Sequence, residues 1–368
     1  MLRVKQVCGS LRLQVFSLWS SRIIAIALII FSGLSCARVS ATAGTKQSLL
    51  PEVAAVQGQV ALSLAVRHLP PNLIPQLSGE ENAIFTGNPC LDQPGYRTAP
   101  NGCAFGSLHA KATLDLVGDS FAEMWIPTFH ALGLKYNFRV IAFARYGCVN
   151  ASLVIINWLR TVDPGCAPWR QNVIHEIQMQ SPPPSMIAFA QFHPAFFIRP
   201  TNADGRALTA AQWNTGLAKT FDQFRKMSAI KVLVVGTPWA QSDPAVCLST
   251  HLTSVQACTT PVGAAYIAGQ DAADAGVARA HGVQPIDVTR LFCSKGQCPD
   301  VVAGLLTHAN QIHMNTYYAT YLAPAMGQLL GCAGLVSLSA PQNLLAEKFL
   351  ASLQGVATRS ACAASGVA

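Results

Sequence analysis

Charge is scarce in this chain. Of its 368 residues only 11% are Asp, Glu, Lys or Arg, so a disordered polyampholyte is excluded. Acid is missing altogether from the first 41 residues, which carry Arg3, Lys5, Arg12, Arg22 and Arg38. Long apolar runs are missing too. Mean hydropathy is +0.33, yet the run that stands out, Ile23 to Ala37, has 15 uncharged residues where a bilayer span needs roughly 20. A polytopic membrane protein is thereby excluded. There is no internal repeat, no phosphate-binding glycine loop and no nucleic-acid patch, and a zinc site would need Cys and His clustered at ligand spacing. Cys293-x4-Cys298 has no partner pair nearby. These gaps point to no cofactor and no nucleic-acid partner.

What is present begins with the leader. A basic lead, a short apolar stretch and the small residues Val39-Ser40-Ala41 and Ala41-Thr42-Ala43 have the layout of a secretory signal with a cleavage site. The lead before Ile23 is long, which keeps an uncleaved N-terminal anchor as the alternative. Cys36 suggests a lipid anchor, but Gly33 stands where a lipobox wants Leu. Removing this segment leaves 20 of the 25 basic residues against 17 acidic ones. The pI of 9.0 therefore belongs largely to the leader.

Twelve cysteines fit the same exported destination. Beyond Cys8 and Cys36, they fall mostly in close pairs: Cys90/Cys103, Cys148/Cys166, Cys247/Cys258 and Cys293/Cys298, with Cys332 and Cys362 over. An even set in an exported chain reads as disulfides, each worth roughly 3 kcal/mol for a ~15-residue loop.

Four segments follow from composition: 1–43, the signal peptide or anchor; 44–107, a Pro-rich lead-in with a helix near Pro51 to His68; 108–332, the main domain; and 333–368, a small-residue tail. In the main domain, strand candidates at 113–117, 138–144, 185–190, 231–236 and 283–288 alternate with helical stretches. The clearest helix repeats Trp213, Leu217, Phe221 and Phe224 on one face. Continuous apolar strands between helices predict a mostly parallel sheet covered on both faces.

Val117-Gly118-Asp119-Ser120 ends the first of these strands and runs into a helix, which Pro127 is expected to kink or restart. Ser120 then lies at a strand's carboxyl end and a helix N-terminus, where ligands bind and oxyanions are stabilised. The plainer alternative is that Asp119 and Ser120 only cap the helix. A nucleophilic serine needs a base. His313, just before an apolar helix, is the best placed, with His308 as competitor.

Together these segments resemble the SGNH domain found fused to, or beside, acyltransferase-3 membrane proteins that O-acylate envelope polysaccharides. The resemblance runs from about His68 to Leu330 and rests on LPPNLIPQL, Cys90/Cys103, LVGDSFAEMWIPTFHALG, VLVVGTPWAQSDPAVC and LFCSKGQCPDVVAGLLTHANQIHMNTYYATYLAP. It implies a three-layer α/β/α sandwich of the SGNH-hydrolase, flavodoxin-like kind, with Ser120 as nucleophile and His313 as base. It also implies acyl transfer, acetyl first among the candidates, to an envelope polysaccharide or other glycan. A separate acyltransferase-3 protein supplying acyl groups is the implied partner. An esterase with the same Ser–His pair, or a non-catalytic glycan- or partner-binding relic, are the alternatives.

Three positions depart from that pattern. Asn310 stands where the family has Asp three residues before the histidine, and Phe121 where it has His after GDS. Asn310 can orient the imidazole but cannot offset its charge, a loss of up to about 10⁴ in kcat in related systems. Asp287, after a strand, is a substitute to consider. No GxND block supplies an oxyanion-hole side chain, so Gln191 and the Gly147 backbone are the expected donors. Trp125 and Trp239 are read as core or rim aromatics rather than sugar platforms, and Asp163, Glu176 and Asp300 as solvated charges.

Overall fold

Each of the five apolar runs singled out in the sequence becomes a strand of one sheet. The structure, a computed structural model, describes residues 50–78, 103–154, 163–192, 208–266 and 269–337, together with Leu353 and Cys362. The strands are β1 (Cys103–Gly106), β2 (Thr113–Gly118), β3 (Arg139–Ala144), β4 (Met186–Ala190) and β5 (Ile230–Val235). After them come β6 (Thr260–Pro261), β7 (Gln284–Asp287), β8 (Gln297–Cys298), β9 (Val301–Val302) and β10 (Leu305–Leu306). Six of them form the central sheet in the order β1-β3-β2-β4-β5-β7, parallel except for β1, which runs antiparallel against β3. The edge strand β1 comes from the stretch read as a lead-in, where CAFG is too short to announce itself.

The helices are α1 (Pro51–Ser63), α2 (Ser120–Tyr136), α3 (Cys166–Met179), α4 (Ala210–Phe224), α5 (Pro244–Thr250), α6 (Val262–Ala265), α7 (Gln270–Ala280), α8 (Thr316–Tyr321) and α9 (Ala323–Ser337). Because side chains alternate across a strand, the inner strands β2, β3, β4 and β5 each feed two cores. Leu114, Leu116, Ala142, Ala188 and Val232 face α1, α2, α8 and α9. Ile141, Phe143, Ile187, Phe189 and Leu233 face α3, α4 and α7. Burial of apolar area at about 25 cal/mol per Å² on both faces holds these three layers together. The face predicted for α4 is the buried one: Trp213, Leu217, Phe221 and Phe224 are all at 0–1% exposure. Thr209 and Gln212 close a capping box at its start.

Among the described residues four disulfides pin this frame: Cys148–Cys166, Cys247–Cys258, Cys293–Cys298 and Cys332–Cys362. The expected Cys90–Cys103 pairing involves Cys90, which lies outside the described residues, as does the leader. Two charges read as solvated are not. Asp163 pairs with Arg145 at 2.8 Å, and Asp300 is 4% exposed, its carboxyl pushed well above the ordinary range by burial. No helix among the described residues is long and apolar enough to cross a membrane.

Candidate active site

The turn that carries Ser120 is built by close approach. Gly118 ends β2 against β4, where a Cβ would overlap the Ala190 carbonyl, so only glycine fits. The next residue, Asp119, caps α2: its Oδ1 accepts the Phe121 N–H at 2.9 Å. The same carboxylate accepts the Phe192 N–H at 2.9 Å through Oδ2, tying the nucleophile turn to the end of β4. Burial raises the Asp119 carboxyl to about 7, against the hydrogen bonds from Phe121 and Phe192 that favour its ionised form. Ser120 is thus the first residue of α2. Pro127 does not restart this helix, which runs unbroken to Tyr136. There Asn137 takes a left-handed φ of 56° and closes it on the Gly133 carbonyl.

The base arrives on a tight loop. Asn315 N–H bonds the Thr307 carbonyl and Ala309 N–H the His313 carbonyl, each at 2.9 Å, so residues 307–315 fold back on themselves. Met314 N–H reaches Met124 Sδ in α2 at 3.3 Å. His313 Nε2 consequently sits 2.9 Å from Ser120 Oγ, with both residues buried.

Asn310 fixes the tautomer. Its Oδ1 accepts the Ile312 and His313 backbone N–H groups at 2.9 Å each, which sets the orientation of the amide, and lies 3.3 Å from His313 Nδ1. An acceptor on that side requires the ring proton on Nδ1. Nε2 is then the bare nitrogen, and the Ser120 hydroxyl donates to it. Burial, and secondarily the neighbouring His308, lower the His313 imidazole to about 4. At neutral pH the ring is uncharged and can take a proton.

His308 is committed elsewhere. Its Nε2–H donates to the Pro238 carbonyl at 3.0 Å and its Nδ1 meets Thr307 Oγ1 at 2.9 Å. Asp287 ends β7 and accepts the Thr289 N–H at 2.8 Å; it makes no hydrogen bond to His313. The structure therefore brings Ser120, His313 and Asn310 together and leaves His308 and Asp287 out. Gln191 Oε1 accepts the Asn150 N–H at 2.8 Å, and neither Gln191 nor Gly147, in the turn after β3 at φ +73°, hydrogen-bonds Ser120. No hydrogen bond among the described residues takes up the Ser120 backbone N–H at the head of α2.

Phe121 packs against Phe192 at 5.2 Å between ring centroids and against the His313 ring at 6.3 Å, an apolar lid where the family pattern has an imidazole. Trp125 is fully buried and donates to Thr237 Oγ1, so it serves the core, while Trp239, 4% exposed, donates to the Ala264 carbonyl at the rim. The Asp119–Phe192 link had no signature in the sequence, because its two ends are 73 residues apart. Among the described residues two groups have metal-like proximity, Cys247/His251/Cys258 and Cys148/Asp163/Cys166. In both, disulfides consume the thiolates a metal would need.

Comparison with known proteins adds a family. The family model described as the SGNH domain (fused to AT3 domains) matches residues 89–328. No curated protein matches. Among solved structures, the periplasmic domain of a lipopolysaccharide acetyltransferase of Salmonella ser. Paratyphi A is similar at 13% identity and a TM-score of 0.47, over 60% of this chain and 84% of that one.

Proposed function

The chain belongs to the SGNH-domain family, and on that premise we propose that it is an exported serine enzyme transferring an acyl group, acetyl first among them, to a cell-envelope glycan. The observation that carries this reading is the 2.9 Å contact between Ser120 Oγ and a neutral His313 Nε2 whose other nitrogen is held by Asn310. Nucleophile, base and orienting group within hydrogen-bond reach are what covalent acyl transfer needs.

In the first half-reaction Ser120 Oγ attacks the carbonyl carbon of an acyl donor while its proton passes to His313 Nε2. The Ser120 N–H, reinforced by the α2 dipole, and the Gly147 N–H steady the oxyanion. The donor's leaving group departs with the proton from His313. In the second half a sugar hydroxyl gives its proton to Nε2 as its oxygen attacks the acyl carbon. The bond to Ser120 Oγ breaks, and the serine recovers a proton from the imidazolium. Water in place of the sugar gives hydrolysis by the same steps.

The four disulfides among the described residues suit an oxidising, extracytoplasmic compartment. An acyltransferase-3 protein is the proposed source of acyl groups, consistent with the fusion partner in the family's description. The test is labelling of the oxidised protein by a fluorophosphonate, read by intact mass. One adduct that disappears in Ser120→Ala supports an activated serine. No adduct on folded protein leaves a glycan-binding relic of the fold.

A further inference from the structure

One strand away from the nucleophile, the carboxyl edge of the sheet opens into a second feature. Phe121, Gln191 and Phe192 wall it on the Ser120 side, and Gly236, Thr237 and Trp239 on the other. It holds a cavity of about 40 Å³ that opens to solvent. The floor is polar. Asp271, Asp274 and Gln270 from the first turns of α7 line it, as does Tyr266. Asp271 Oδ1 accepts the Gly236 N–H at 3.2 Å, and Tyr266 donates its hydroxyl to the Gly236 carbonyl at 2.9 Å. Asp274 Oδ1 accepts from Trp213 Nε1 at 2.9 Å and from Gln270 Nε2 at 2.6 Å. Gln191 turns its Nε2 toward Asp274 without reaching a hydrogen bond.

The position of this depression matters as much as its lining. Phe121, the residue after the nucleophile, touches the imidazole with its ring and is also a wall of the depression. The opposite wall, residues 236–241, is bonded to the His313 loop through Pro238 and His308 and through the Ala240 N–H and Gln311 carbonyl at 2.8 Å. Phe121 is thus the ring that the depression shares with the Ser120–His313 pair.

We propose that this depression is the acceptor subsite, and that it takes an uncharged, hydroxyl-bearing sugar. This rests on the acyl-transfer reading above. Carboxylates and amides set among aromatic faces match the hydroxyls and apolar ring faces of a sugar. An acyl chain would gain nothing from two carboxylates, and an acidic sugar would meet like charge. The specificity follows: neutral hexosides accept the acyl group, uronic acids do not.

The experiment uses p-nitrophenyl acetate as donor and a panel of methyl glycosides (glucose, galactose, mannose, rhamnose, N-acetylglucosamine) with methyl glucuronide beside them. The readout is acetylated glycoside against free acetate among completed turnovers, so a change in overall rate does not mimic a change in partition. The proposal expects transfer to at least one neutral glycoside, at least tenfold less to the glucuronide, and about a tenfold fall in the ratio in Asp271→Asn and in Gln191→Ala. Asp274→Asn is expected to match them if its melting temperature stays within a few degrees. An unchanged ratio in Asp271→Asn and Gln191→Ala overturns the proposal. So does turnover to acetate alone with every glycoside, which would leave serine hydrolysis standing. No release of nitrophenol beyond the Ser120→Ala background overturns the acyl-transfer reading itself, and this one with it.

Discussion

His308 and His313 sit on one loop, are 3% and 6% exposed, and are both lowered by burial to about 4. What separates them is the partner of Nε2. A carbonyl accepts from His308, so its proton is locked on that nitrogen and the ring braces the 236–241 segment. A hydroxyl donates to His313, because Asn310 holds the proton on the far nitrogen. Burial and pKa alone do not distinguish a structural histidine from a base; the hydrogen-bond direction does.

The strongest way to sharpen this contrast is to remove the pair. Ser120→Ala and His313→Ala are each expected to lower kcat by about 10⁶, and the double variant to cost little more, because the two act as a unit. Steady-state turnover of a chromogenic acetate ester measures it. His308→Ala should fall outside that pattern entirely: fluorophosphonate labelling of Ser120 persists, while the unpaired Pro238 carbonyl and lost packing cost roughly 1–3 kcal/mol of stability in denaturant unfolding. Equal loss of labelling in both histidine variants would erase the distinction.

Asn310 tests the next level. An aspartate there would accept the same three N–H groups and add a charge beside the imidazolium, so Asn310→Asp is expected to raise kcat, within a ceiling of about 10⁴. The same substitution moves the acid limb of the pH profile. In the native chain the neutral base is needed, and His313 is lowered to about 4. The rate should therefore hold down to about pH 5 and fall tenfold per unit below about 4. Asn310→Asp should shift that limb upward, and a limb that stays in place would mean that Asn310 does not govern His313.

Much of this was written in the sequence, though unevenly. The buried strands announce themselves because a parallel sheet covered on both faces demands continuous apolar runs, and the GDS turn announces Ser120 because chain direction fixes the carboxyl edge. The His313 setting was readable through Asn310, three residues away. The short edge strand β1 was not, since CAFG follows a Pro- and Gly-rich stretch and gains its strand geometry from β3. Pro127 misled because a helix packed on all sides keeps its path despite one missing N–H. Asp163 looked solvated because its partner, Arg145, is 18 residues away. The Asp271–Asp274 floor was equally silent: in QDAADAGVARA the acids look like ordinary first-turn residues, and only the crossover from β5 sets them against Gly236 and Gln191.

Those buried acids oppose the two histidines in one further, smaller effect. Asp119 is raised to about 7 and Asp271 and Asp274 to about 6, chiefly by burial, and Asp115 and Asp300 are raised as well. Between about pH 4 and their folded values these groups hold protons that the unfolded chain releases, so each one's contribution is full at low pH and lost as pH rises. The depressed histidines run the other way, losing stability as pH falls from about 6.5 towards 4. Asp119 takes up its proton between about pH 7.5 and 6.5, with the other raised acids on the same side, while the unfolded histidines are only beginning to charge, so acidification over that range should raise stability, by on the order of 1 kcal/mol per pH unit for each uncompensated proton. Urea unfolding midpoints across that range measure it, and Asp119→Asn should flatten the slope most above about pH 7, where Asp271 and Asp274 have lost most of their protons and Asp119 still holds part of its own. A midpoint that falls steadily on acidification would show instead that the buried histidines set the stability of this chain.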